Sequence, residues 1–209
     1  MNQDKLSKSY LLIPLLGLII SFVFSVLWIT PHSEHSVRFC LRSTALVSWV
    51  FYMIAFLSAA APKIFKNSFG KKWRRIGIFF FWGFIASHTV HLTNIYYLVD
   101  VYYGGDPTHL SNYFPKMGYI FIYVMFLMSL KPVQNVLGQK LCAEFLSFAV
   151  YYIMFAFTYG LFDITTASFN LIQFILYLIT WIVIFIRGFS KPGFDNIKVR
   201  QTDNVILPW

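Results

Sequence analysis

The residues equipped for chemistry lie close together in this sequence. In RRIGIFFFWGFIASHTVHLTNIYYL, residues 74–98, Ser87, His88, His91 and Asn94 recur at three- and four-residue steps, and on a helix such steps share one face. Their neighbours are mostly apolar, so the helix belongs in a membrane, where ionisable side chains turn to the bundle interior and mark functional sites. Neutral imidazole ligates iron and other transition metals, and histidine is the usual axial ligand of a haem. His88, at mid-span, is therefore the candidate metal ligand, and His88, His91, Asn94 and Ser87 together form the candidate cofactor-binding set. A second use of the same residues is hydrogen bonding to a neighbouring helix, at about 0.6 kcal/mol a bond. Side chains three residues apart fall on the same side of a haem plane, so His88 and His91 do not make opposite axial ligands of one iron. A further ligand has to come from His32, His35 or His109, in outer loops, or from Met125, Met128 or Met154, within spans. Helical methionine is a core filler first.

Other polar groups in the apolar stretches read as structural. Glu144 follows Lys140 at the four-residue spacing of a helical ion pair. Gln173, Tyr151, Tyr152, Thr158 and Tyr159 are expected to bond between helices. Cys40 and Cys142 fall on opposite faces of the bilayer in the topology given below, beyond the roughly 7 Å Cα separation that a disulfide tolerates, and are expected to be inert. No C-x-x-C, P-loop, G-x-S-x-G or Gly-rich dinucleotide motif occurs, nor any internal repeat.

The elements that position these residues follow from composition and length. The 209 residues are 58% hydrophobic and 12% charged, against about 45–50% and about 25% in soluble domains. Disorder is excluded, and the net charge of +9 reads as membrane topology rather than nucleic-acid binding. Crossing a hydrocarbon core of about 30 Å takes about 20 apolar residues. Six such runs, at 10–30, 43–61, 76–99, 115–130, 142–162 and 169–187, predict an all-α polytopic membrane bundle of six transmembrane helices in one domain, embedded in the lipid bilayer. Fourteen Lys and Arg fall on one side: Lys5, Lys8, Lys63, Lys66, Lys71, Lys72, Arg74, Arg75, Lys131, Lys140, Arg187, Lys191, Lys198 and Arg200. Only Arg38, Arg42 and Lys116 fall on the other. The positive-inside rule then puts both termini in the cytoplasm, in a multi-pass protein of the cell inner (plasma) membrane, and the even number of crossings agrees. The first run is too long for a cleaved signal peptide and no A-x-A site follows it. Trp28, Tyr96, Tyr97, Tyr102 and Tyr103 lie near outer span ends, as interfacial anchors do.

Residues 42–98 carry a pattern of their own: Arg42 and Thr44 lead one apolar helix, Pro62 closes it after small residues, Arg74, Arg75 and Gly77 follow a basic loop, and His88 sits centrally in an aromatic-rich helix. This pattern resembles the second and third helices of the ferric-reductase-like transmembrane family, and Leu137-Gly138 before the fifth run extends the likeness loosely to residue 162. The resemblance implies haem b between the third and fifth helices, electrons passed across the membrane, and a quinone or a redox partner protein docking on the basic segment from Lys63 to Arg75. Bound anionic lipid is the plainer use of that segment. The sequence departs from the family at the fifth run, which has no histidine; Phe145 and Thr158 stand in the corresponding places. Three readings follow: a haem-bearing electron-transfer component of an oxidoreductase, a haem-free accessory or interaction scaffold of the same fold, and a small transporter built on the polar stripe.

Overall fold

A computed structural model describes residues 10–29, 33–106, 113–167 and 171–189. His32, His109, Lys5, Lys8, Lys191, Lys198 and Arg200 lie outside them, as do the side chains of Lys116 and Asp163. The described chain is helical, with no strand: α1 (Leu12–Ile29), α2 (Glu34–Ser58), α3 (Ala61–Ile64), α4 (Ser68–Tyr103), α5 (Tyr113–Ser129), α6 (Lys131–Leu137), α7 (Gln139–Ala167) and α8 (Leu171–Phe189). It divides into two compact units. The first comprises Met1–Ala55 and Arg75–Asn112, the second Phe56–Arg74 and Tyr113–Trp209.

Four described helices are long and apolar enough to cross a membrane: α2, α4, α7 over Gln139–Gly160, and α8. The bent pair α5–α6 makes a fifth if it counts as one span, and the apolar stretch of α1, Leu12–Trp28, is shorter than the rest. Six crossings are thus more than length and composition alone establish. The fourth expected run, 115–130, ends where α5 ends, and the chain turns there for a local reason. Pro132 stands in the first turn of α6, Leu130 is extended at φ −81°, ψ 133°, and the axes turn by 88° between Met117–Ser129 and Lys131–Leu137. Proline offers no N–H to the Met128 carbonyl four residues back and its ring crowds that carbonyl, so the helix of α5 cannot continue through it. Side chains bond the carbonyls near the break: Ser129 donates to Phe126 O at 2.7 Å and Gln134 Nε2 to Met128 O at 3.0 Å.

Helix α2 begins nine residues before the run expected at 43. Ser33 caps it, its Oγ accepting from the Ser36 N–H at 3.1 Å, and Glu34 pairs with Arg38 at 2.7 Å across one turn. His35, Arg38 and Arg42 are therefore helical rather than in a loop. At 36 residues, α4 is about 54 Å long at 1.5 Å per residue, well beyond a core of about 30 Å. Its N-terminus is capped by Asn67, which accepts from the Gly70 N–H at 3.2 Å.

Within the first unit α1 and α4 meet backbone to backbone. A Cβ on Gly17 would lie 2.7 Å from the Gly83 carbonyl oxygen, and one on Gly83 would strike the Phe51 ring; small residues at such crossings let membrane helices approach closely. Tyr52 and Phe84 pack nearby at 4.8 Å between centroids. In the second unit Phe121 of α5 packs on Phe145, Phe148 and Tyr152 of α7 at 5.8, 5.8 and 4.6 Å, and Met125 and Met154 are fully buried. Gly17→Ala should lower stability by about 1–3 kcal/mol, the usual cost of overpacking, read as an earlier thermal unfolding midpoint in detergent. Gly160→Ala, whose methyl would meet nothing within 4 Å, should leave the midpoint equal or higher.

Candidate functional site

About two turns of α4 present the stripe to α1 and α2 within the first unit. Ser87, Asn94 and His88 are buried and His91 is half-buried. Ser87 donates to Ser48 at 3.1 Å, and Ser48 in turn to the Thr44 carbonyl at 2.9 Å. Thr44 Oγ1 and His91 Nδ1 are 3.0 Å apart. The hydroxyl hydrogen of Thr44 is directed at carbonyls of its own helix, Cys40 O at 2.9 Å and Leu41 O at 3.2 Å, which leaves Oγ1 to accept from an Nδ1–H. Asn94 Nδ2 donates to Ser25 Oγ at 2.8 Å and to Cys40 Sγ at 3.3 Å, and Ser25 donates to the Ser21 carbonyl at 2.8 Å.

The result is a ladder. Cys40, Thr44 and Ser48 step by four along α2 and face Asn94, His91 and Ser87 on the antiparallel α4, while Ser25 ties α1 to the outermost rung. The His88 ring lies between those of Phe84 and His91, at 5.3 and 5.2 Å between centroids. Beyond the ladder, Tyr103 donates to Glu34 Oε1 at 2.9 Å, and the Arg38 guanidinium, 2.8 Å from the same oxygen through Nε, also contacts the Tyr103 hydroxyl. Tyr103 thus closes a clasp between α2 and α4. Tyr96 is exposed and Trp28 stacks on Phe39 at 4.3 Å.

The stripe itself was visible in sequence; its partners were overlooked. The available signal was the four-residue repeat of small polar residues, Cys40-Thr44-Ser48 in one helix and Ser21-Ser25 in another.

The second unit holds the remaining candidates. Met128 meets Cys142, sulfur to sulfur, at 3.5 Å, and Met125 and Met154 are fully buried. Thr158 donates to Met154 O in its own helix at 2.8 Å, not across helices as expected, and Gln173 Oε1 is buried with no hydrogen-bond partner among the described residues. Lys140 and Glu144 approach to 4.0 Å on the surface. Both cysteines are free thiols.

Arg187 was counted only as a topology marker, yet it is buried. It donates to the Phe56 carbonyl at 2.8 Å, and its guanidinium carbon stands 4.1 and 5.4 Å from the ring centroids of Phe56 and Tyr151. Near the end of α2 the Ala60 N–H turns to Leu57 O at 3.0 Å, so the guanidinium supplies the donor that a continuing helix would have given Phe56. A basic residue closing an apolar run was the signal.

Haem b held on both faces, as the resemblance implies, needs two opposed axial ligands, although a single proximal histidine holds the haem of globins. The two-ligand arrangement does not fit: His88 and His91 stand on one face of α4, and in the places of the family's fifth-helix histidines Phe145 packs against Phe121 and Thr158 bonds its own backbone. No protein-family model, curated protein or solved structure matches this chain.

In a double-mutant cycle, Asn94→Ala and Ser25→Ala should couple by about 0.6 kcal/mol, with about 1.7 kcal/mol as the upper range for membrane interhelical bonds. Unfolding in mixed micelles measures it, and additive effects would show the rung contributes nothing.

Proposed function

We propose that this chain is a haem-free, multi-pass membrane scaffold of ferric-reductase-like architecture that acts as an accessory or interaction subunit. On this reading it crosses the cell inner (plasma) membrane six times, α1 and the bent α5–α6 pair each counting once, with both termini in the cytoplasm. One observation carries the reading: Ser87, His91 and Asn94, three of the four residues of the candidate cofactor set, bond to Ser48, Thr44, Ser25 and Cys40 on facing helices, and the fourth, His88, packs its ring against those of Phe84 and His91. Polar groups engaged in this way fix helix register in a medium that offers no competing water.

The electron-transfer reading, in which haem b at His88 or His91 would serve a quinone or a redox partner protein, retains one favourable observation. The Thr44 hydroxyl orients His91 through Nδ1, as outer-shell acceptors orient metal-bound imidazoles. Colour separates the two readings. Full-length protein purified in detergent from haem-replete cells should show no Soret band and no reduced α-band. A Soret band that His88→Ala bleaches would overturn the scaffold reading in favour of the redox one.

A further inference from the structure

The stretch joining α2 to α4 is used by neither the ladder nor the scaffold reading. Residues 63–75 hold Lys63, Lys66, Lys71, Lys72, Arg74 and Arg75 and no acidic residue. The first five belong to the second unit and are exposed. Three aromatic rings pack among them: Phe65 on Phe69 at 5.3 Å, Phe65 on Trp73 at 5.8 Å and Phe69 on Trp73 at 5.9 Å. The cluster is not tucked away, with Phe69 54%, Ile64 44% and Phe65 37% exposed. Its shape is built in. Gly70 approaches the α3 backbone so closely that a Cβ would lie 2.6 Å from Ala61 O and strike Phe65 O.

Depth follows from the helix. The apolar run of α4 starts near Ile76, so residues 68–75 extend about 12 Å past it at 1.5 Å each. A headgroup zone adds only about 5–8 Å on each side of the hydrocarbon, which puts Trp73, about 4.5 Å past the run, inside it and Phe69, about 10.5 Å past the run, at its outer edge beside the lysines.

We propose that this corner is an interfacial anchor selective for anionic phospholipid headgroups, the aromatic cluster seating among the headgroups with Trp73 deepest while the surrounding cations bind lipid phosphates. Two independent features meet here. An apolar patch rimmed by basic side chains matches a negatively charged leaflet in both hydrophobicity and charge. A soluble acidic protein would answer the charges but not the exposed Phe65 and Phe69 rings.

The test uses the full chain reconstituted in phosphatidylcholine bilayers carrying spin-labelled phosphatidylglycerol or spin-labelled phosphatidylcholine, with the motionally restricted lipid fraction read by electron paramagnetic resonance. Wild type should prefer phosphatidylglycerol by about threefold or more, since a nearby basic residue adds up to roughly fivefold. The variant Lys63→Gln, Lys66→Gln, Lys71→Gln, Lys72→Gln should fall close to equal association, whereas Lys131→Gln, Lys140→Gln should keep the preference. Molar salt, which shortens the screening length to about 3 Å, should remove the preference in wild type itself and makes the test independent of how the variant folds. Equal association by wild type, a preference untouched in the fourfold variant, or equal loss in the Lys131, Lys140 variant would each overturn the anchor. The second result would direct attention to a soluble acidic partner.

Discussion

Inside hydrocarbon a hydroxyl, an amide or an imidazole has no water to bond, so each must find its partner on a facing helix or in its own backbone. The first unit is organised around that constraint. Its rungs, Ser48 with Ser87, Thr44 with His91, and Cys40 with Asn94, recur about once per turn on antiparallel helices. A slip of α4 along α2 would break all three together, and Asn94 would lose Ser25 as well. Apolar side chains could slide with less loss, because lipid is as good a neighbour for leucine as another leucine is. The close crossing of Gly17 over Gly83 depends on the same register.

The second unit meets the constraint mainly through backbone carbonyls. Where α5 stops at Leu130, Ser129 and Gln134 bond the carbonyls of Phe126 and Met128. Near the end of α2, Arg187 does the same for Phe56. The guanidinium is stabilised besides by two aromatic faces, an arrangement in which the ring quadrupole compensates part of the lost hydration.

The legible part of this protein was its long-period hydrophobic pattern. Apolar runs located the helices, and the spacing of Ser87, His88, His91 and Asn94 placed them on one face because helical periodicity is local. What was obscured was non-local. Cys40, Thr44 and Ser48 are single small side chains scattered through apolar sequence, and only the antiparallel packing of α2 on α4 shows why they are there. The start of α2 was set by a serine cap and an Arg38–Glu34 pair, which hydropathy does not weigh. The fourth run ended as expected, but the helix α6 that follows it at a sharp angle was not foreseen, because Pro132, with no N–H to give the turn before it, restarts the helix in a new direction. Arg187 was misread because a charge near the end of an apolar stretch is taken as solvent-facing, although here its partner lies 131 residues away.

That distance bears on how the chain is made. At about 5–20 residues per second, the ribosome adds Arg187 roughly 7–26 seconds after Phe56, so the end of α2 enters the bilayer long before its donor exists. Until then the orphaned carbonyl must be met by a lipid headgroup, by water near the interface or by the insertion machinery. Synthesis of α8 is consequently also the step at which an early helix acquires its permanent terminus, which makes the maturation of the second unit wait on Arg187.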